Sequence, residues 1–492
     1  MKKTSLCWAA GCLVVLAMSC ETTEEKEERL AHVYCSSCHL FPEPTLLDKE
    51  TWRKSVLPQM AFRMGFSDFT IMADIPERDL PAVLSTIPQS PMISNEEWES
   101  IRNYYSRNAP DTVAFDPPAI IDSLTLFTPH SIELPGTPLV MMLKASNPTG
   151  LFCGTRSPKL YKLNNDLEPM DSFNISSPPS YVQEGDNGID VLTMGIMDPN
   201  DQAKGQLVHI TKEKEMNIRI DSLRRPVYAE WADLDGDGRD EIIVCEFGNY
   251  IGQLCIYDTE ESSPKKHVLS SSPGARKTVV QDINNDGRKD ILALFTQGDE
   301  RLMLYTNNGR MNFDERILLR FPPVYGSSYF ELADLNNDGF FDVVITNGDN
   351  ADYSIIVKPY HAVTVFLNDG KNNFYENWSF KMPGASMAKA RDFDQDGDVD
   401  IAAVSFFPDF VNHRERSFIY FENDGTGTLH PMTTDIAATG RWLVIEAADI
   451  DLDGDVDIIL GATNFPGLGA SRKVMESWNV HSSLLFLENK LK

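Results

Sequence analysis

Asp233-Leu234-Asp235-Gly236-Asp237-Gly238-Arg239-Asp240-Glu241 is the stretch on which the fold turns. It carries oxygen side chains at positions 1, 3 and 5, glycine at 6 and a carboxylate at 9. The same pattern begins again at Asp282, Asp334, Asp392 and Asp449. These starts lie 49, 52, 58 and 57 residues apart, a near-constant period that marks a repeat architecture. Alternate acidic side chains on a tight turn gather hard oxygens around one point, which suits calcium. The expected ligands are Asp233, Asp235, Asp237 and Glu241, then Asp282, Asn284, Asp286 and Asp290. The later repeats offer Asp334, Asn336, Asp338 and Asp342, then Asp392, Asp394, Asp396 and Asp400, and last Asp449, Asp451, Asp453 and Asp457. About five calcium ions are expected, each pinning a turn without taking part in catalysis.

An EF-hand would need glutamate at position 12. Here that position is Val244, Ala293, Ile345, Ala403 or Leu460, within apolar runs such as Ile242-Ile243-Val244 and Val343-Val344-Ile345. The loops therefore join strands. A second run follows each loop, for example Val363-Thr364-Val365-Phe366-Leu367. A third often comes after a turn such as Asn307-Asn308-Gly309, Asn368-Asp369-Gly370 or Asn423-Asp424-Gly425. With the strand before the loop, each unit has four strands, which is a propeller blade.

Two degenerate units precede the acidic ones. One centres on Glu184–Leu192 and keeps the register without the first ligand; the other spans roughly Leu139 to Phe173. The expected total is seven blades, the last lacking a fourth strand after Leu484-Leu485-Phe486-Leu487. Leu124 to Leu134 could supply that strand and close the ring, leaving no open sheet edge. The acidic loops resemble the FG-GAP/VCBS repeats of integrin-like bacterial propellers over residues 120–490. That resemblance implies a fold and leaves function open.

The chain has 492 residues, is 42% hydrophobic and 10% aromatic, and carries a formal net charge of −29. This is the composition of a globular protein, and its acidity argues against a nucleic-acid partner. Lys2 and Lys3 precede an apolar stretch from Leu6 to Met18, too short for a comfortable membrane span and suited to a signal peptide over 1–19. Leu16-Ala17-Met18-Ser19-Cys20 resembles the lipobox of bacterial lipoproteins, which makes Cys20 the expected lipid anchor. Glu21 to Glu28 is a solvated acidic tether (20–28) and resembles the run that exports some Gram-negative lipoproteins. The expected location is extracytoplasmic, on a Gram-negative outer membrane, facing the periplasm or the cell surface.

Near this tether stands Cys35-Ser36-Ser37-Cys38-His39, the attachment signature of c-type haem. Two thiols at this spacing can add to the two vinyl groups of one haem, and the adjacent imidazole then ligates the iron. A redox pair would want a βαβ context, and a zinc site a second ligand pair nearby; neither is present. The surrounding pattern is helical: Glu25–Tyr34 before the motif, Leu47–Met64, and a capping-box start at Ser94-Asn95-Glu96-Glu97 with Trp98, Ile101 and Tyr105 on one face. Residues 29–109 thus resemble a small monohaem cytochrome c, whose first and last helices cross beside the haem. A stretch running from Trp52 to Val56-Leu57-Pro58-Gln59-Met60 resembles cytochrome modules fused to propellers. The resemblance implies one haem c, His39 as proximal ligand and a thioether as distal ligand. Met60 is the first candidate, with Pro58 breaking the helix before it, and Met64 and Met92 are the alternatives. Residues 110–121 have linker composition, and 122–492 form the propeller.

Of the other cysteines, Cys245 and Cys255 sit on consecutive runs, where a hairpin disulfide is possible and buried free thiols are favoured. The second connections of the blades are long, and blade geometry puts them on the face opposite the acidic loops. A binding surface is expected there, from Tyr228, Arg276, Tyr325, His361, His413, Arg441, Trp442 and Trp478. Three functions fit this sequence. The first is an electron-transfer lipoprotein, anchored in the membrane, that meets a redox partner protein. The second is an oxidoreductase with a further cofactor in the propeller, and the third an adhesion or glycan-binding module. No catalytic triad, P-loop or Rossmann fingerprint is read, so a non-catalytic role is favoured.

Overall fold

The computed structural model describes residues 21–121, 124–136, 139–146, 148–259, 264–349, 354–465, 470–479 and 481–491. The expected signal segment and lipid-anchor residue Cys20 lie outside the described residues, as do Asp352 and Tyr353. Among the described residues six α-helices come first: α1 (Thr23–Cys35), α2 (Lys49–Thr51), α3 (Leu57–Arg63), α4 (Phe69–Asp74), α5 (Leu80–Ser85) and α6 (Asn95–Asn108). Among the described residues no helix is long and apolar enough to cross a membrane.

Local chemistry sets the two long helices. α1 starts on a capping box between Thr22 and Glu25, and α6 on one between Ser94 and Glu97. α1 packs on α6 around Leu30, Ala31, Trp52, Ile101 and Tyr105, with Tyr34 donating to Glu97 at 3.2 Å. Pro58 does not break its helix. A π-helical turn over Trp52–Val56 runs directly into α3, with Leu57 N–H bonded to the Trp52 carbonyl, and so absorbs the missing proline donor.

Seven four-stranded antiparallel sheets follow, so the seven-bladed propeller expected from the repeats is the observed fold. Their inner strands are Val140–Ser146, Pro179–Gly185, Pro226–Ala232, Ala275–Gln281, Ser327–Ala333, Ala385–Arg391 and Trp442–Ala448, which open blades 1 to 7. Blades 1 and 2 are the two degenerate units. Neighbouring inner strands pack side by side, and the first meets the last. The ring closes as the sequence suggests: Phe127–Ile132 pairs with Leu484–Asn489 as the outer strand of blade 7. The core lies between blades. Second strands such as Glu241–Glu246, Asp290–Phe295 and Asp400–Ser405 are buried along their whole length, because both faces pack on a neighbouring sheet.

Strand alternation decides the cysteine question. Cys245 pairs with Leu254 and Val244 with Cys255, so the two thiols point to opposite faces and pack in different clusters. Both are free and fully buried.

Candidate functional site

Each acidic loop is a backbone cradle. Position 5 donates its N–H to the position 3 side chain at 2.9–3.2 Å in all five loops. Position 7 donates to position 5 at 2.9–3.1 Å. Position 6 glycine has φ between +86° and +101°, a region where a side chain is strained. Position 4 is left-handed as well, in Asn285, Asn337, Gln395 and Leu452, and a tightly wound loop results.

The position 9 carboxylate also bonds to backbone. It is buried in every loop, with Asp290, Asp342 and Asp400 fully enclosed. One oxygen accepts from the position 2 N–H, as Asp290 does from Ile283 at 3.1 Å. In blades 4 to 7 the other accepts from an asparagine N–H that ends the third strand: Asn307, Asn368, Asn423 and Asn489 at 2.8–2.9 Å. Three of those asparagines also reach the preceding blade, where their amides donate to the carbonyls of Leu234, Leu335 and Phe393. Sequence reading took Asn307, Asn368 and Asn423 only as turn residues and passed over Asn489, although the place of each at the end of a third strand was the available signal.

Oxygen donors converge in three loops. Carboxylate oxygens of Asp233, Asp235 and Glu241 lie within 4.8 Å of one another, as do those of Asp392, Asp394 and Asp396, and of Asp449, Asp451 and Asp453. Asp392 Oδ1 and Asp449 Oδ1 are buried without a hydrogen-bond partner. An all-oxygen set with orphaned acceptors suits a hard cation. In the loops at Asp282 and Asp334, position 3 is asparagine, and its amide donates to Asp286 or Asp338. Burial pushes the carboxyls of Asp400 and Asp457 up to about 7.

On the opposite face the helical module sits on the long second connections and the inter-blade loops. Val324, Ile356 and Tyr360 join its apolar core, Arg63 lies 4.7 Å from the Tyr250 ring, and Arg320 donates to the Cys38 carbonyl at 3.3 Å. The linker is fixed too: Pro118 accepts from Arg416 at 2.6 Å, and Ile121 bridges to Met432 at the rim of blade 6.

Cys35 ends α1 and Cys38 lies on the exposed turn after it; both thiols are free. Burial pushes the Cys35 thiol up to about 11. His39 Nδ1 lies 2.8 Å from the Leu40 carbonyl, so that nitrogen carries the proton and Nε2 remains an acceptor, the form that ligates a metal. Cys35, Met60 and Met64 pack on one apolar cluster, whereas Met92 is 54% exposed and outside it. The residues fit a haem: two free thiols at the attachment spacing, a correctly protonated imidazole, and two thioethers on the same apolar wall.

The expected binding surface is only partly open. His361, Arg441, Trp442 and Trp478 are buried. Arg441 lies 3.9 Å from the Phe406 ring and within 5.3 Å of those of Phe407, Phe410 and Phe465, and Trp442 donates to the Ala437 carbonyl at 2.9 Å. Tyr325 stacks on Tyr360 at 4.9 Å beneath the module. Tyr228, Arg276 and His413 are half-buried; Tyr228 packs edge-on to Tyr181, Arg276 donates to the Ser328 carbonyl, and His413 Nδ1 is 3.2 Å from Glu415. These residues are spread around the ring and mostly support it. Between the inner strands lies a charged set that no sequence motif singled out: Lys389 pairs with Glu446 at 2.8 Å, Glu331 with Arg391 at 3.2 Å, and Lys277 donates to the Phe330 carbonyl at 2.7 Å. Burial opposes the Lys389 charge, but Glu446, Tyr329 and Glu331 together outweigh it and hold the ammonium above its ordinary range. Their signal was a charged residue within an inner strand, at the fifth place for Glu331, Lys389 and Glu446, the third for Lys277 and the seventh for Arg391.

A family model described as "FG-GAP-like repeat" matches residues 282–345 and 392–460. No curated protein matches the chain. Among solved structures, the N-terminal domain of Nup159 is similar at 10% identity and a TM-score of 0.44, over 76% of this chain and 99% of that one. The Dos1 propeller is similar at 11% identity and 0.42, over 71% and 77%. A protein from Lactobacillus plantarum is similar at 12% identity and 0.40, over 60% and 85%. The large domain is thus a seven-bladed propeller that carries FG-GAP-like repeats.

Proposed function

We propose that this protein is a lipid-anchored, extracytoplasmic electron-transfer protein with one covalently bound haem c. Cys35 and Cys38 are the attachment points, His39 the proximal ligand and Met60 the distal one. The observation that carries the reading is the Cys35–His39 motif at the end of α1, with α1 packed on α6 and Met60 on the same apolar wall as Cys35. When bound, the haem supplies a one-electron couple whose potential a thioether raises. The chain holds it by two thioether links, keeps the His39 proton on Nδ1 through Leu40, and excludes water with Trp52, Trp98 and Tyr105. The propeller then presents this module to a redox partner. Calcium, on this reading, is held at positions 1, 3 and 5 of the acidic loops, with Glu241 added in blade 3, while the other position 9 carboxylates bind backbone.

The test is a pyridine-haemochrome spectrum of the full chain, made in a bacterium with haem-attachment machinery. A c-type spectrum and a haem-staining band that survives denaturation are expected. Cys35→Ala with Cys38→Ala should abolish that band, and Met60→Ala should lower the midpoint potential. Wild-type protein without covalent haem would sink the reading.

A further inference from the structure

Where the helical module meets blade 2, a cavity of about 330 Å³ opens between α5 and the loop that carries Asp201 and Gln202. Its floor is made of acceptors. Asp79 and Gln202 are only 6% and 8% exposed, yet neither Asp79 Oδ2 nor Gln202 Oε1 has a hydrogen-bond partner. Asp79 stands at the N-cap of α5, where a carboxylate ordinarily accepts from the first turn, and it makes no such bond. Asp201 beside it is fixed, its Oδ1 accepting from the N–H groups of Asn249, Tyr250 and Ile251 at 2.8–2.9 Å. Burial, and to a lesser degree the nearby Asp79 carboxylate, push the Asp201 carboxyl up. The rim has the opposite sign: Arg78, Lys204 and Arg224 line the same cavity.

Buried acceptors call for a donor, because an unpaired one forfeits its hydration with no return. A bare divalent cation would meet three basic side chains on entry, and a simple anion would meet two carboxylates at the floor. A primary ammonium brings three donors on one atom, which matches Asp79, Asp201 and Gln202. We propose that this seam binds a free α-amino acid, its ammonium on the acidic floor and its carboxylate at the basic rim. The floor comes from α5 on one side and blade 2 on the other, so the bound ligand clamps the helical module to the propeller. The site stands apart from the haem motif and does not depend on it.

The test uses the full chain. Thermal shift with each common L-α-amino acid in turn, at millimolar concentration, selects ligands for calorimetric titration. At least one should bind, at least tenfold tighter than methylammonium or acetate alone, and should slow protease cleavage of the 110–121 linker. Asp79→Asn should weaken binding at least tenfold. Should that variant fail to fold, Gln202→Met keeps the volume, removes the acceptor and is expected to weaken binding likewise. The proposal is overturned if no amino acid binds, if both variants bind as wild type does, or if Asp79→Asn instead removes a calcium-dependent shift.

Discussion

A buried carboxylate that bonds to backbone and an exposed one that faces solvent answer to different physics, and the acidic loops hold both. Asp290 is fully buried and accepts from Ile283 and Asn307, so its loss leaves two N–H groups unpaired in the core. Asp290→Ala should therefore destabilise by about 2–4 kcal/mol, with calcium or with chelator. Asp286→Ala, at exposed position 5, gives up only exposed bonds from Arg288 and Asn284 and should cost less than about 1 kcal/mol in chelator and clearly more with calcium present. Urea melts under both conditions decide this, and equal calcium dependence in the two variants would contradict it. Protonation offers a second check. Burial raises the Asp400 carboxyl to about 7, against roughly 4 in the unfolded chain. The stability this group contributes is complete below the unfolded value and is lost as pH rises through the folded one. In chelator, wild type should therefore lose stability relative to Asp400→Asn between about pH 4 and pH 7. Parallel pH profiles would refute the assignment.

At the scale of strands and loops, the asparagine that closes the third strand ties blades 4, 6 and 7 to the blade before. Asn423 bonds Asp400 through its N–H, and its amide bridges Val399 and Leu335, in its own blade and the one before. Asn368 reaches only Phe341 of its own blade and the turn at Asn372. Asn423→Ala should cost about 1–3 kcal/mol. It should also speed hydrogen exchange in the loop around Leu335, whereas Asn368→Ala should leave the preceding loop protected. These elements were largely legible in the sequence. Asp233 and its counterparts set the repeat, and apolar runs such as Ile242-Ile243-Val244 set the strands, because glycine turns and two-sided burial leave strong local marks. Pro58 was misread for the opposite reason: a π turn is settled by where Trp52 and Leu57 pack, and no local propensity announces it.

Across the whole molecule, the helical module is seated on the propeller face opposite the acidic loops. Tyr360 donates to the Val324 carbonyl at 3.0 Å, and both residues belong to the module's apolar core; Tyr250 packs on Phe62 and Arg63. Tyr250→Ala combined with Tyr360→Ala should loosen this seat. Protease cleavage within 110–121 is expected to rise about tenfold, with an increased radius of gyration in solution scattering. An unchanged cleavage rate would mean that the linker contacts at Arg416 and Ile121 suffice to hold the module.

The seven blades, the closing strand near Phe127 and the Cys35–His39 motif are legible in the chain alone. These rest on periodicity, turn chemistry and short spacing, which are local properties. It takes the folded packing to make Arg441, Trp442 and His361 interior, to set Glu446 against Lys389, and to bring Asp79 and Gln202 to one cavity. The physical reason is that burial and charge pairing depend on which distant segments meet. A residue's own neighbourhood in the chain carries its propensity to form a strand or a turn, but not the identity of the group that will lie against it.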